Sequence, residues 1–131
     1  MPPKITKGVK KMGKLYLLNS PIMTGPALYL YTIIDQDRAR AIIKEAIDWN
    51  EEIISAIGHQ STAILLSEIL GYEVPVNRIN VSLTTQDRAI VIRLLERLQE
   101  GQVLGIEELK KVKYELGSIY VWPAYVAAYL P

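Results

Sequence analysis

Cysteine is absent from the 131 residues, and histidine occurs once. The first absence excludes disulfides and thiolate metal sites. The second leaves a zinc or iron centre to be assembled mostly from carboxylates, and no carboxylate cluster of that kind stands out along the chain. Any chemistry is therefore expected to need no metal and no cofactor. Long apolar runs are also missing. None approaches the roughly 18–20 residues that span a bilayer, and the N-terminus lacks the apolar core of a signal peptide, so no membrane partner is expected. Acidic residues are missing before Asp35, whereas Lys4, Lys7, Lys10, Lys11 and Lys14 supply five of the fifteen basic residues. Pro2, Pro3 and Gly8 oppose regular structure there, and no aromatic residue interleaves the lysines as a stacking platform. Residues 1–11 thus read as a basic, solvated N-terminal extension, and duplex nucleic acid is not the expected partner.

What is present suffices for one domain over residues 12–131. Half of the chain is hydrophobic, enough for a real core at this length. Leu15-Tyr16-Leu17-Leu18 reads as a short strand stopped by Asn19-Ser20-Pro21. Leu28 to Ile34, rich in aromatic and β-branched residues, reads as a second strand. Asp35 or Asp37 can cap a helix whose inner face carries Ala39, Ile42, Ile43, Ala46 and Ile47. Arg38, Arg40, Lys44, Glu45 and Asp48 fall on its solvated side, and Trp49-Asn50 ends it. Ile53 to Ile57 reads as a buried strand, and Ala63 to Leu70 as a helix closed by Gly71. Ile79-Asn80-Val81-Ser82-Leu83 alternates as a half-buried strand does. A strand over roughly 88–95 precedes a loop through Gly101. Ile106 to Leu116 reads as a helix with Leu109 and Val112 inward, glutamates in its first turn, lysines later and Gly117 as its terminator. Ser118 to Tyr129 is a last strand or tail, with Pro123 at an edge or bulge. The expected architecture is α/β: a mixed sheet of about five strands flanked by about three helices.

The chain is organised around Ser55-Ala56-Ile57-Gly58-His59-Gln60-Ser61-Thr62-Ala63. A strand enters, Gly58 turns the backbone, and a helix leaves with Ser61 or Thr62 as its N-cap. His59 then stands where free backbone N–H groups and the helix dipole favour an anion. Asn19 and Ser20, at the carboxyl end of the first strand, occupy the place where open α/β sheets bind ligands. Taken singly, each feature has a plainer reading. A lone histidine is usually a boundary residue, Ser-Thr is ordinarily a cap, and Arg97 with Glu100 is a surface ion pair of little energetic consequence.

Three anchors together resemble a known family: Ser55 to Ala63, then Val76-Asn77-Arg78-Ile79, then Glu96-Arg97-Leu98-Gln99-Glu100-Gly101-Gln102-Val103-Leu104. Leu17-Leu18-Asn19-Ser20 fits as well. They resemble the viral ring nucleases that act as anti-CRISPR proteins against type III systems, a family spread through archaeal viruses and found in some bacteria. The resemblance runs from about Met12 to about Ile119. It leaves out residues 1–11, and the tail from Trp122 to Pro131 is poorly covered. It implies a homodimer that binds cyclic tetra-adenylate across its interface and cleaves it, without a metal, to linear di-adenylate with a cyclic phosphate end. It implies His59 as the catalytic histidine and Arg97 with Glu100 as an active-site pair on a closing loop. It implies Arg78 as a phosphate or ribose contact, with Asn19, Ser20, Ser61 and Thr62 as further polar contacts. The place of action would be the cytoplasm of the infected host cell. Two other classes stand beside this one: a sponge or regulator that binds the cyclic nucleotide without cutting it, and a structural or DNA-associated virion protein using the lysine arm.

Overall fold

Strand β1 (Lys14–Leu18) is apolar on both faces because both are covered. Leu15 and Leu17 point into one hydrophobic cluster, Tyr16 and Leu18 into another, and all four are buried. That run is the signature of an interior strand rather than an edge. The computed structural model describes residues 13–96 and 105–131. After β1 come β2 (Leu28–Ile34), α1 (Gln36–Asp48), β3 (Glu52–Ser55), α2 (Gln60–Leu70), β4 (Arg88–Leu94), α3 (Ile106–Leu109) and β5 (Tyr114–Trp122), then a short 3-10 helix, Ala124–Tyr129. The strands form one mixed sheet in the order β2-β5-β4-β1-β3. β1 runs parallel to β3 and β4, and β5 runs antiparallel to β4 and β2. The chain is thus a single α/β domain with a five-stranded mixed sheet and helices, as the sequence predicted.

The helices lie on one face. Ile42, Ile43, Leu65, Leu66 and Leu109 pack there against Leu15, Leu17, Ile90, Ile92 and Leu116. The other face carries Tyr16, Ala89, Val91, Ile119 and Val121 and is covered by Ile22, Ala27, Val81 and Leu83 from the connecting segments. Asp35 caps α1 by accepting from the Arg38 amide at 2.7 Å. At the other end Asn50 takes a left-handed φ of 55°. Its amide bonds Ile47 O, and the Glu51 amide bonds Ala46 O, the paired closure that satisfies the last helical carbonyls. Ile47, expected on the inner face, is 59% exposed. Arg40, expected to be solvated, donates from Nε to Ile69 O at 2.7 Å and from Nη2 to Glu68 O at 3.3 Å. It thereby closes the carbonyl end of α2.

Two elements depart from the sequence reading. The helix expected over 106–116 ends at Leu109, although Leu109 and Val112 are buried as foreseen. Residues from Tyr114 onward join β5, which has ladders on both sides, to β2 and to β4. Those bonds outweigh the local helical periodicity. Gly117 terminates nothing: it lies mid-strand, where a Cβ would stand 2.3 Å from the Tyr31 ring. Residues 79–83 are not a strand. Leu83 is held instead by its amide donating to Thr24 Oγ1 at 2.7 Å, and its side chain fills the second cluster.

Candidate functional site at the carboxyl ends of the parallel strands

Because β1, β3 and β4 are parallel, their carboxyl ends emerge on one side of the sheet. β1 lies between the other two, a point where the connections diverge and ligands characteristically bind. Asn19 and Ser20 follow β1 there and are exposed. β3 continues one ladder bond further, Ala56 N to Leu17 O at 2.9 Å. The fully buried Ile57 then anchors the turn, and Gly58 leads into α2.

A second segment is clipped along this turn. Ser55 Oγ donates to Pro75 O at 2.6 Å, and Asn77 Nδ2 donates to Ser55 O at 2.8 Å. The Asn77 amide donates to Ile57 O at 2.8 Å, and Arg78 Nε to Gly58 O at 2.9 Å. Asn77 is thus structural, holding Arg78 against the strand-to-helix turn. Gly58 is required by crowding rather than by a left-handed φ. Its φ is not among the positive ones, but an added Cβ would meet Arg78 Cγ at 3.0 Å.

These segments enclose an open groove of about 380 Å³ lined by Asn19, Ala56, Gly58, Arg78, Ile79 and Asn80. His59 is the next residue after Gly58. It is exposed and is the N-cap of α2, but its side chain makes no capping bond. Its carbonyl accepts from the Ala63 amide at 3.0 Å, the first bond of the helix. The imidazole is thus not consumed by capping, beside a helix start whose leading amides lack helical partners. Ser61 and Thr62, expected as the N-cap, occupy the first turn instead and are buried, 5% and 3% exposed. Neither lines the groove. The structure brings Asn19 and Arg78 together in the groove, with His59 and Ser20 each adjacent in the chain to a lining residue. Arg97 and Glu100 lie outside the described residues. Asn80 and Ile79 were not foreseen as lining residues; the alternation that suggested a strand concealed them. Among the described residues, no three His, Cys, Asp or Glu side chains are placed to hold a metal ion, and no helix is long and apolar enough to cross a membrane.

Fold and groove together define a small α/β protein with a polar cleft at a strand-to-helix turn. The chain belongs to the STIV B116-like family, whose model matches residues 15–116. It is 40% identical over 106 residues to uncharacterized protein ORF117 of Acidianus two-tailed virus, covering 78% of this chain and 88% of that protein. It is 37% identical over 103 residues to uncharacterized protein 26 of Sulfolobus islandicus filamentous virus, covering 78% and 86%. A bacterial relative, uncharacterized protein YddF of Bacillus subtilis, is 30% identical over 102 residues, covering 78% and 92%. Among solved structures, B116 of Sulfolobus turreted icosahedral virus superposes with a TM-score of 0.68 at 26% identity, covering 82% of this chain and 99% of that one. This kinship fits a protein of an archaeal virus.

Proposed function

We propose that the protein is a ring nuclease that binds cyclic tetra-adenylate across a homodimer and cleaves it to linear di-adenylate ending in a 2′,3′-cyclic phosphate. In the host cytoplasm this would remove the messenger that activates type III CRISPR defence, an anti-CRISPR action. One observation carries the reading: the only histidine of the chain stands exposed at a helix N-terminus, next to a groove lined by Arg78 and Asn19. Two of the sequence anchors meet there, Ser55 to Ala63 being clipped to Val76 to Ile79 by three hydrogen bonds, with a fourth to Pro75.

The chemistry follows from the substrate. A ribose 2′-hydroxyl lies beside its own 3′-phosphate, so the nucleophile is built into the ring. The new O2′–P bond forms as the P–O5′ bond breaks. The protein aligns the hydroxyl with the scissile bond, which supplies much of the rate. His59, in its protonated form, gives a proton to the departing O5′, and the hydroxyl proton passes to solvent. Arg97 stabilises charge on the phosphoryl oxygens, and Glu100 orients either Arg97 or the attacking hydroxyl. Arg78 holds a phosphate or ribose. Ser61 and Thr62 contribute through the backbone of the helix start, since their side chains are buried.

Size supports a shared site. The groove of about 380 Å³ falls at the small end of ligand pockets, about 300–1,000 Å³, so one subunit does not enclose a ring of four nucleotides. Two copies related by a two-fold axis present two histidines to opposite sides of the ring, which gives two-nucleotide products. Incubation with a large excess of cyclic tetra-adenylate is expected to convert many equivalents to di-adenylate by mass spectrometry. Consumption that stops near one equivalent would identify a sponge, and mainly mononucleotide products at early times would contradict the two-fold geometry.

Gly58→Ala tests the placement of Arg78. The added methyl displaces an exposed, flexible side chain, so melting is expected to change little. Losing one charge-assisted contact corresponds to roughly tenfold weaker binding of cyclic tetra-adenylate, read by calorimetry. Unchanged affinity would remove Arg78 from the ligand site.

A further inference from the structure

A second concavity, of about 420 Å³, lies at the opposite end of the parallel strands. Its walls include Arg38, Glu45, Trp49, Arg88, Tyr120 and Trp122. Both tryptophans of the chain are therefore in it. Tyr120 and Trp122 are two apart on β5 and project from the same face of the sheet. Their rings are 6.3 Å apart between centroids and within 27° of parallel. Trp122 is 40% exposed. Trp49 is backed by the Arg88 guanidinium, 5.4 Å from its ring centroid. Arg38 donates from Nη2 to the Tyr120 hydroxyl at 3.3 Å.

The polar groups on the floor pair with one another. Arg88 donates to Glu51 at 2.8–3.2 Å and to Glu45 at 3.0 Å, and Arg38 pairs with Glu45 at 3.3 Å. Arg38 and Arg88 are balanced within the lining by Glu45 and Asp87, so the groove offers no surplus charge to a phosphate. It offers aromatic faces held in place. It also offers a carboxylate, Glu45, whose two oxygens have lone pairs beyond the two guanidinium bonds. Its volume suits a nucleoside-sized ligand.

We infer that this groove binds an aminopurine base, which stacks on the Tyr120–Trp122 pair and donates from its exocyclic amine to Glu45. The site is separate from the groove beside His59 and does not depend on the ring nuclease reading. The family match ends at residue 116, so the stacking pair on β5 falls outside it.

The two tryptophans report on this groove and not on the other one. Adenosine added to the intact protein is expected to quench tryptophan fluorescence saturably and to shift an indole N–H signal in the NMR spectrum. Adenosine 5′-monophosphate and a short linear oligoadenylate serve as further arms. All three are expected to bind with similar affinity at low and high salt, because the base is what is recognised. Trp122→Leu, which leaves Trp49 as reporter, is expected to weaken adenosine roughly 5- to 100-fold. The inference is overturned if millimolar adenosine shifts neither indole signal of the wild type, or if Trp122→Leu binds as well as wild type. It is overturned equally if binding requires the phosphate.

Discussion

His59→Ala is expected to slow cleavage of cyclic tetra-adenylate by about 10²–10⁴-fold, the usual worth of a general acid, while affinity for the ring stays within a few-fold. The loss should appear in single-turnover kinetics, where product release plays no part. Stability should hardly move, by about 0.5 kcal/mol or less, because the side chain is exposed and makes no capping bond. His59→Ser sharpens the test. Serine supplies the cap that histidine withholds, worth about 0.5–2 kcal/mol, so this variant should melt higher while remaining inactive. A position that keeps a poor cap where a good one is available fits a side chain retained for reactivity. Turnover preserved in either variant would remove His59 from the mechanism. Loss of binding together with turnover would make it a ligand contact instead.

Arg88→Met is expected to cost about 3–5 kcal/mol, the penalty for stranding one member of a buried ion pair. The Arg88 side chain is 6% exposed and the Glu51 side chain 0%. Burial alone would lower the Arg88 pKa, but hydrogen bonds to Glu51 and Glu45 outweigh it and the net shift is upward. The guanidinium therefore stays charged at any working pH. Remove it and the fully buried Glu51 loses the guanidinium that balances its charge. For a chain of this length the midpoint should fall by about 10–20 °C, measured by calorimetry. The pair Arg88→Met with Glu51→Leu should recover most of that loss, since an apolar replacement of both partners is often neutral. If the double variant is no more stable than the single one, the penalty lies in lost packing around Trp49 rather than in the unbalanced Glu51 charge. The same network touches the aromatic wall of the second groove, Arg88 lying over the Trp49 ring and Arg38 bonding the Tyr120 hydroxyl.

Both networks show which parts of the molecule one dimension reveals. The strand at Leu15–Leu18 and the helix capped by Asp35 were legible because their signals are local. Continuous burial on two faces shows as an uninterrupted apolar run, and a cap shows as an acid before a 3.6-residue period. The turn at Gly58-His59 was also legible, though the glycine was credited to backbone freedom and is in fact needed for the approach of Arg78. The region from Lys110 to Gly117 was misread because Leu109 and Val112 share a helical face and the glutamates precede the lysines as a helix dipole favours. Its fate was decided by β2 and β4, whose hydrogen bonds it could reach only after the chain had come back on itself. Arg38 and Glu45 read as a solvated helix face for the same reason: their partners Arg88 and Tyr120 lie far away in sequence.

The sequence by itself determined the class of fold, the position of an imidazole at a strand-to-helix turn and the lack of any thiolate site. Those properties depend on residue identity and on periods of two to four residues. Only the tertiary structure decided which distant segment lies along that turn, which residues line the groove, and that a buried arginine holds two carboxylates beside a tryptophan. Contacts of that kind depend on sheet order and register, and these are set by the pairing of strands remote in sequence rather than by any local pattern.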